Sequence, residues 1–344
     1  MRIVLDAMGS DTHPDPEVQA ALQATELYGD EVLLVGHEDQ LYPRLKASGK
    51  DHSLVKVIHA PEVLEMTDKP AENARRKSLN SMAIGMDLVK SGEGEAFVTA
   101  GNTGGAMANA LFRLGRIRGV KRPALAGIFP VKGGYCVVLD IGANADCKPE
   151  YLVQFACMGS VYTEKVLGIA RPRVGLLSNG EEAGKGNELV KETFPLLEKS
   201  GLNFIGNVEG KEVFGGETDV VVTDGFTGNV LLKSSEAVAK LLIDVIRQEL
   251  MGSFRTKMGA LLAKPAFGGV RKMMDPAETC AAPLLCVNGL VFIGHGRSDA
   301  RALVSAVRVA RQAVGANLME ELRSSIQTRL TDIQPDDIGQ PESA

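Results

Sequence analysis

Residues 97–106 read FVTAGNTGGA: an apolar run, a tight stretch of small polar residues, and the start of a helix. Phe97, Val98 and Thr99 suit a buried strand. Gly101, Gly104 and Gly105 let the backbone come close to a ligand. From Ala106 to Phe112 the apolar spacing is helical. Strand, turn and helix N-terminus in that order leave unpaired N–H groups, with the helix dipole behind them, where an anion can bind. The plainer alternative is that Asn102 or Thr103 only caps the helix.

The same pattern recurs. Six apolar runs end in Gly together with Asn, Asp, Ser or His: IVL before DAMGSD (residues 6–11), FVT before AGNTGG, CVVL before DIGAN (140–144), VGLL before SNG (178–180), VVVT before DGFTGN (224–229), and LVFI before GHGRS (294–298). Short continuous apolar runs alternating with helical patterns predict an α/β protein with buried parallel strands. In open parallel sheets ligands bind at the carboxyl ends of strands. A turn needs Gly, but not an added polar side chain each time. One cleft rimmed by all six ends is therefore expected.

With 344 residues the chain can bury a large core; 24% charged and 44% hydrophobic residues are ordinary for a soluble globular protein. A net charge of −5 gives no basic field for nucleic acid. The five cysteines form no C-x-x-C pair, which reads as a reduced, cytosolic protein. Met1-Arg2 runs into the first strand, so no targeting segment is expected. No apolar run approaches the ~18 residues of a membrane span.

Helices are expected over residues 17–27, up to about 47, 73–89, 152–166, 229–251 and 299–324. Arg75, Arg76 and Lys77 open the third and either hold phosphate or solvate a helical turn. Residues 113–122 hold five cations (Arg113, Arg116, Arg118, Lys121, Arg122) and no acid. They read as a docking patch for an acidic partner or as a solvated helix end. The loop SNGEEAGKGN, residues 178–187, is one residue short of a P-loop and lacks the Ser or Thr after Lys185, which argues against nucleotide triphosphates. The dinucleotide fingerprint is broken at Leu189. Lys185 between two glycines still suits a phosphate or a developing oxyanion. Residues 247–272 carry six basic residues against one acidic, among Phe254, Met258, Leu261, Leu262 and Phe267. Basic plus apolar at helical spacing suggests a membrane-facing helix, a homodimer interface, or both. A helical excursion over about 236–274 and a polar, frayed tail over 331–344 complete a single domain of residues 1–330.

No G-x-S-x-G elbow supports a serine hydrolase, and no H-E-x-x-H or Cys/His cluster supports a metal. Cys147 is a candidate acyl-carrying nucleophile, although no His lies near it in sequence. Amides and a lysine with few general bases suit positioning and electrostatics around an already nucleophilic anion such as phosphate.

Taken together, MRIVLDAMGSD, AGNTGGAM, LDIGANADCKPEYL, SNGEEAGKGN, TDGFTGNVLLK and GHGRSDA resemble the bacterial acyl-acyl-carrier-protein:phosphate acyltransferases of phospholipid synthesis, in order from Met1 to about Leu330. The resemblance implies a three-layer α/β/α sandwich with a mainly parallel sheet, like the isocitrate and isopropylmalate dehydrogenases, and a homodimer. It implies transfer of a fatty acyl group from the carrier's phosphopantetheine thioester to inorganic phosphate; separately, no cofactor and no metal are expected. It also implies a place in the cytoplasm at the membrane periphery, near the membrane glycerol-3-phosphate acyltransferase. The nearest rivals are a phosphate acetyltransferase using acetyl-coenzyme A, a nicotinamide dehydrogenase of the same architecture, and a non-catalytic membrane scaffold.

On this reading Lys185 clamps phosphate or the oxyanion, and Gly101, Asn102 and Thr103 supply donors. Asn144 and Asn229 orient phosphate or the pantetheine amides. Asp6 and Asp224 position the lysine or accept a proton, and His295 serves the leaving thiolate or only shapes its turn. Gly9, Gly104, Asn187 and Gly228 complete the phosphate and substrate site. Residues 113–122 dock the carrier, and residues 254–267 touch anionic lipid.

Overall fold

The computed structural model describes residues 1–273 and 281–333, with side chains for residues 1–265 and 281–328. Among the described residues the strands are β1 (Arg2–Asp6), β2 (Glu31–Gly36), β3 (Val55–His59), β4 (Ala96–Thr99), β5 (Ala124–Val131), β6 (Gly134–Leu139), β7 (Val174–Leu177), β8 (Phe204–Val208), β9 (Val220–Val222), β10 (Ala282–Leu285) and β11 (Leu290–Ile293). They form one sheet in the order β3-β2-β1-β4-β11-β10-β5-β6-β9-β7-β8. The helices are α1 (Asp15–Tyr28), α2 (Glu38–Ala47), α3 (Pro70–Arg76), α4 (Ser81–Ser91), α5 (Thr103–Arg113), α6 (Pro149–Lys165), α7 (Glu188–Glu198), α8 (Gly210–Gly215), α9 (Gly225–Leu250), α10 (Phe254–Met273), α11 (Ala300–Gly315) and α12 (Leu318–Ile333).

Successive strand residues serve opposite faces. Ile3 and Leu5 belong to the core that also holds residues of α1, α6, α11 and α12, whereas Val4 belongs to the core on the other face, with residues of α4 and α5. Helices thus cover both faces, giving the expected α/β layering. Most of the apolar runs pair in parallel, as predicted, from β3 to β11 and again from β6 to β8.

The middle of the sheet differs. β11 with β10, β10 with β5, and β5 with β6 are antiparallel. Three reversals leave the second parallel set running opposite to the first. The ends of β1, β4 and β11 leave at one edge, and those of β6, β9 and β7 at the other. This corrects the single rim of six ends: the sheet divides them into two sets of three.

Several helix bounds shift for local reasons. The helix expected over 73–89 breaks into α3 and α4, because Lys77 leaves helical geometry and Asn80 Oδ1 caps the next helix by accepting the Ala83 N–H at 2.9 Å. The helix expected over 299–324 breaks at Asn317, whose φ is 52°. α9 starts four residues early because Asp224 caps it. α12 runs on to Ile333, into the segment expected to fray; residues 334–344 lie outside the described residues.

The start of α9 packs against the β6 turn with no spare room. A Cβ on Gly228 would lie 1.9 Å from the Asp140 carbonyl oxygen. Gly228→Ala should therefore cost about 3 kcal/mol or more by overpacking. Gly134→Ala, where a Cβ meets nothing within 4 Å, should stay within about 0.5 kcal/mol. Urea midpoints compare them, and equal midpoints would disprove the close approach.

Candidate active site

At the first edge, hydrogen bonds stitch three turns together. Thr99 Oγ1 donates to Asp6 Oδ2 at 2.6 Å, and the Gly101 N–H donates to Thr99 Oγ1 at 3.0 Å. The Gly294 N–H donates to the Thr99 carbonyl and the Asp11 N–H to the Gly296 carbonyl, both at 2.7 Å. A Cβ on Gly9 would lie 2.9 Å from the Gly101 nitrogen, so the first turn rests directly on the second.

These bonds reassign two predicted donors. The Gly101 N–H is already occupied. Asn102 Oδ1 accepts the Gly105 N–H at 2.9 Å, while its Nδ2 donates to the Met66 carbonyl at 3.0 Å and reaches those of Glu65 and Asp68. Asn102 thus caps α5 and clasps the 65–68 loop. The N–H groups of Thr103 and Gly104 have no acceptor among the described residues. No acidic residue stands in that first turn. This pair of donors, at the start of an eleven-residue helix, is of the kind that suits an anion. His295 is exposed nearby; its Nδ1 accepts the Arg297 N–H at 3.4 Å. Lys77, one of the alternative phosphate cations, pairs with Asp68 at 2.6 Å, and Arg75 lies over the Phe112 ring at 4.9 Å.

Behind the first turn lies a residue the sequence reading missed. Glu17 on α1 is fully buried, and its Oε1 accepts the Ser10 N–H at 2.9 Å. Its Oε2 and the Ser10 hydroxyl have no geometric hydrogen-bond partner. Burial pushes the Glu17 carboxyl up to about 7, with nearby Asp6 adding to the rise. Burial also raises Asp6, against hydrogen bonds from Thr99 and Met8 that lower it. An acid on a helix behind Pro14 and Pro16 looks like ordinary solvated N-terminal charge, so only the packing against β1 revealed it.

At the second edge, buried Asp140 is the anchor. It accepts N–H groups from Leu125 at 3.0 Å, Gly142 at 3.2 Å, Ala143 at 3.0 Å and Asn144 at 2.6 Å, and the Asn144 amide at 2.9 Å. Asn144 Nδ2 also donates to the Pro123 carbonyl at 2.8 Å. Asn144 is thereby locked in place. Asp224 accepts the Thr227 N–H and hydroxyl, both at 2.8 Å, and Asn187 Oδ1 accepts the Val190 N–H at 3.0 Å. Both act as helix caps rather than free ligands. Lys185 and Asn229 are exposed and have no side-chain partner among the described residues. Beside Lys185, Ser178 Oγ and Asn207 Oδ1 are buried and unpaired. Cys147 is half-buried, and burial followed by the Asp140 charge pushes its thiol up to about 12. That direction disfavours the thiolate a cysteine nucleophile needs.

The basic stretch adjoins this second edge through Pro123 and through the Lys121 N–H, which donates to Gln154 at 2.9 Å. Arg113 is engaged by Asp87 at 3.0 Å, and Arg116 by the Lys121 carbonyl. Arg118 and Arg122 are exposed without a partner among the described residues. No hydrogen bond or ion pair joins the two edge sets among the described residues.

A family model described as "Fatty acid synthesis protein" matches residues 1–321. The phosphate acyltransferase of Pelotomaculum thermopropionicum is 49% identical over 328 residues, 95% of this chain and 96% of that one. The phosphate acyltransferase of Elusimicrobium minutum is 48% identical over 327 residues, again 95% and 96%.

The chain belongs to this family.

As a member of the phosphate acyltransferase family it is an enzyme, as the motifs imply. Solved structures share its fold at low identity. A phosphotransacetylase from Streptococcus pyogenes matches with TM-score 0.62 at 16% identity, over 93% of this chain and 94% of that one. A 4-hydroxythreonine-4-phosphate dehydrogenase from Klebsiella pneumoniae matches at 0.53 and 13%, over 91% and 99%. These likenesses show the fold alone.

Glu17 is harder to ionise folded than unfolded, so the folded state binds more protons between the ordinary value of 4.5 and about 7. Stability therefore falls as pH rises through that window. Glu17→Gln keeps the acceptor for Ser10 and removes the charge. Its midpoint relative to wild type should rise between pH 5 and pH 7.5. A constant difference would show that Glu17 is not held protonated.

Proposed function

We propose that this enzyme moves a fatty acyl group from an acyl-carrier-protein thioester to inorganic phosphate. A phosphate oxygen attacks the thioester carbonyl and the carbon–sulfur bond breaks. The carrier thiolate leaves and takes up a proton, with His295 the assigned donor. The products are acyl phosphate and free carrier, and no covalent enzyme intermediate forms. The observation that carries this reading is a set of anion donors left free among the described residues: the Thr103 and Gly104 N–H groups, Lys185 and Asn229. Such donors stabilise a tetrahedral oxyanion, and proximity supplies much of the rest. Gly9, Gly101 and Gly228 shape the seats, while Asp6, Asn102, Asn144, Asp224 and Asn187 hold them.

The acidic carrier docks on Arg118, Arg122 and the outer side of Arg116. A homodimer forms through α9, whose buried residues are only Gly225 and Gly228. Among the described residues no helix is long and apolar enough to cross a membrane. The tip of the excursion, exposed at Phe254, Met258, Leu261 and Leu262, rests on anionic lipid at the cytoplasmic face and delivers acyl phosphate to the next acyltransferase there. The Phe267 side chain, assigned to the same surface, lies outside the described residues.

Mixing enzyme, long-chain acyl carrier protein and phosphate should yield acyl phosphate that hydroxylamine traps, whereas acetyl-coenzyme A should yield none; the reverse would make it an acetyltransferase. In single-turnover assays Lys185→Ala and Asn229→Ala should each slow the reaction by about 10²-fold with unchanged folding. Near wild-type rates would remove these assignments. Charge reversal at Arg118 and Arg122 should weaken carrier binding, most at low salt. Leu261→Glu should reduce flotation with anionic vesicles. Unchanged binding in either assay would discard that surface.

A further inference from the structure

The first glycine-rich turn, residues 6–11, bears on both of its neighbours at the first edge. A Cβ on Gly9 would lie 2.9 Å from the Gly101 nitrogen and 2.9 Å from Thr99 Oγ1. The turn therefore sets how the chain passes from β4 into α5. The Asp11 N–H donates to the Gly296 carbonyl at 2.7 Å, so the same turn also sets the one that carries His295. Ser10 stands between these contacts, and its N–H is held by Glu17 Oε1 at 2.9 Å.

Glu17 is a costly residue to keep there. It has no exposure, and it sits on α1, which Val18, Ala21, Leu22 and Ala24 anchor in the core. Its Oε2 finds no hydrogen-bond partner among the described residues. A leucine would fill the place without the desolvation of a carboxyl group. What leucine lacks is an acceptor for the Ser10 N–H, offered from a helix that cannot follow the turn if it moves. On the other flank Asp6 Oδ1 accepts the Met8 N–H at 3.0 Å. The turn is thus gripped by the strand before it and by the helix after it.

We propose that Glu17 is a positioning residue for acyl transfer: by holding the Ser10 N–H it seats Gly9 against Gly101 and Asp11 against Gly296, and so places the Thr103 and Gly104 donors relative to His295. This rests on the acyl-transfer reading above and adds what keeps its phosphate donors in place. A bound phosphate needs its donors within about 3 Å, and a misplacement of about 1 Å can cost 10²-fold in rate. Slackening at Ser10 therefore weakens phosphate binding, while the carrier surface at the second edge is untouched.

Three variants separate positioning from stability. Glu17→Leu removes the acceptor and keeps the bulk. Glu17→Gln keeps the acceptor and removes the acid. Thr25→Val perturbs the same helix away from the turn, at a buried hydroxyl that donates to the Leu22 carbonyl at 2.9 Å. In folded protein, Glu17→Leu should raise the KM for phosphate about 10-fold or more, as loss of a supporting contact behind a site does. Its KM for acyl carrier protein should not change. Glu17→Gln should recover most of the phosphate affinity, and Thr25→Val should behave as wild type. A wild-type phosphate KM in Glu17→Leu, a Gln variant as impaired as the Leu one, or an equal loss in Thr25→Val overturns the proposal. Hydrogen exchange on the wild-type protein tests it even where Glu17→Leu fails to fold: saturating inorganic phosphate should slow exchange in residues 6–13 as well as in 101–105. Slowing at 101–105 alone overturns the positioning role and leaves the phosphate site standing. No slowing at either segment overturns that site and the positioning role with it, and wild type making no acyl phosphate overturns the reaction.

Discussion

Three antiparallel ladders sit in the middle of an otherwise parallel sheet, and the placement of every functional group follows from them. Had β10, β5 and β6 continued the direction of β11, all six glycine-rich turns would leave at one edge. Instead strand direction reverses across the sheet at β10, again at β5 and again at β6. The strands on either side keep their local rule, turns at carboxyl ends, but the two halves obey it in opposite directions.

Within each half a buried carboxyl group performs the local assembly. Asp6 gathers Met8 and Thr99, and through Thr99 the Gly101 amide. Asp140 gathers four backbone N–H groups and the Asn144 amide. A carboxylate surrounded by donors offsets much of its desolvation and fixes loops that would otherwise be free. These anchors occupy atoms that a sequence reading assigns to substrate. What remains unoccupied is small in number and open to solvent.

The family match and the fold likenesses bear on different questions. Relatives near half identity over almost the whole chain carry the family. Structures at 13–16% identity carry only the layered sheet, on which phosphotransacetylase and dehydrogenase chemistries both stand. Among the described residues of this chain, the donors left free at the turns are two helix N–H groups, a lysine and an asparagine amide.

The sequence by itself determined the elements: apolar runs too short and continuous for anything but buried strands, helices between them, and turns rich in Gly, Asn and Asp. It also determined the family, since six motifs in order leave little freedom. It did not separate a cap from a ligand, because Asn102, Asp224 and Asn187 bond backbone N–H groups with the same atoms they would offer a substrate. Only tertiary structure decided that, by showing where each amide and carboxylate is already satisfied. Strand direction was equally illegible, because a buried strand reads the same whichever way its neighbour runs; the pairing partner, chosen by packing over distant parts of the chain, set it. Glu17 stayed hidden for the same reason, since burial belongs to the packed helix and not to the residue.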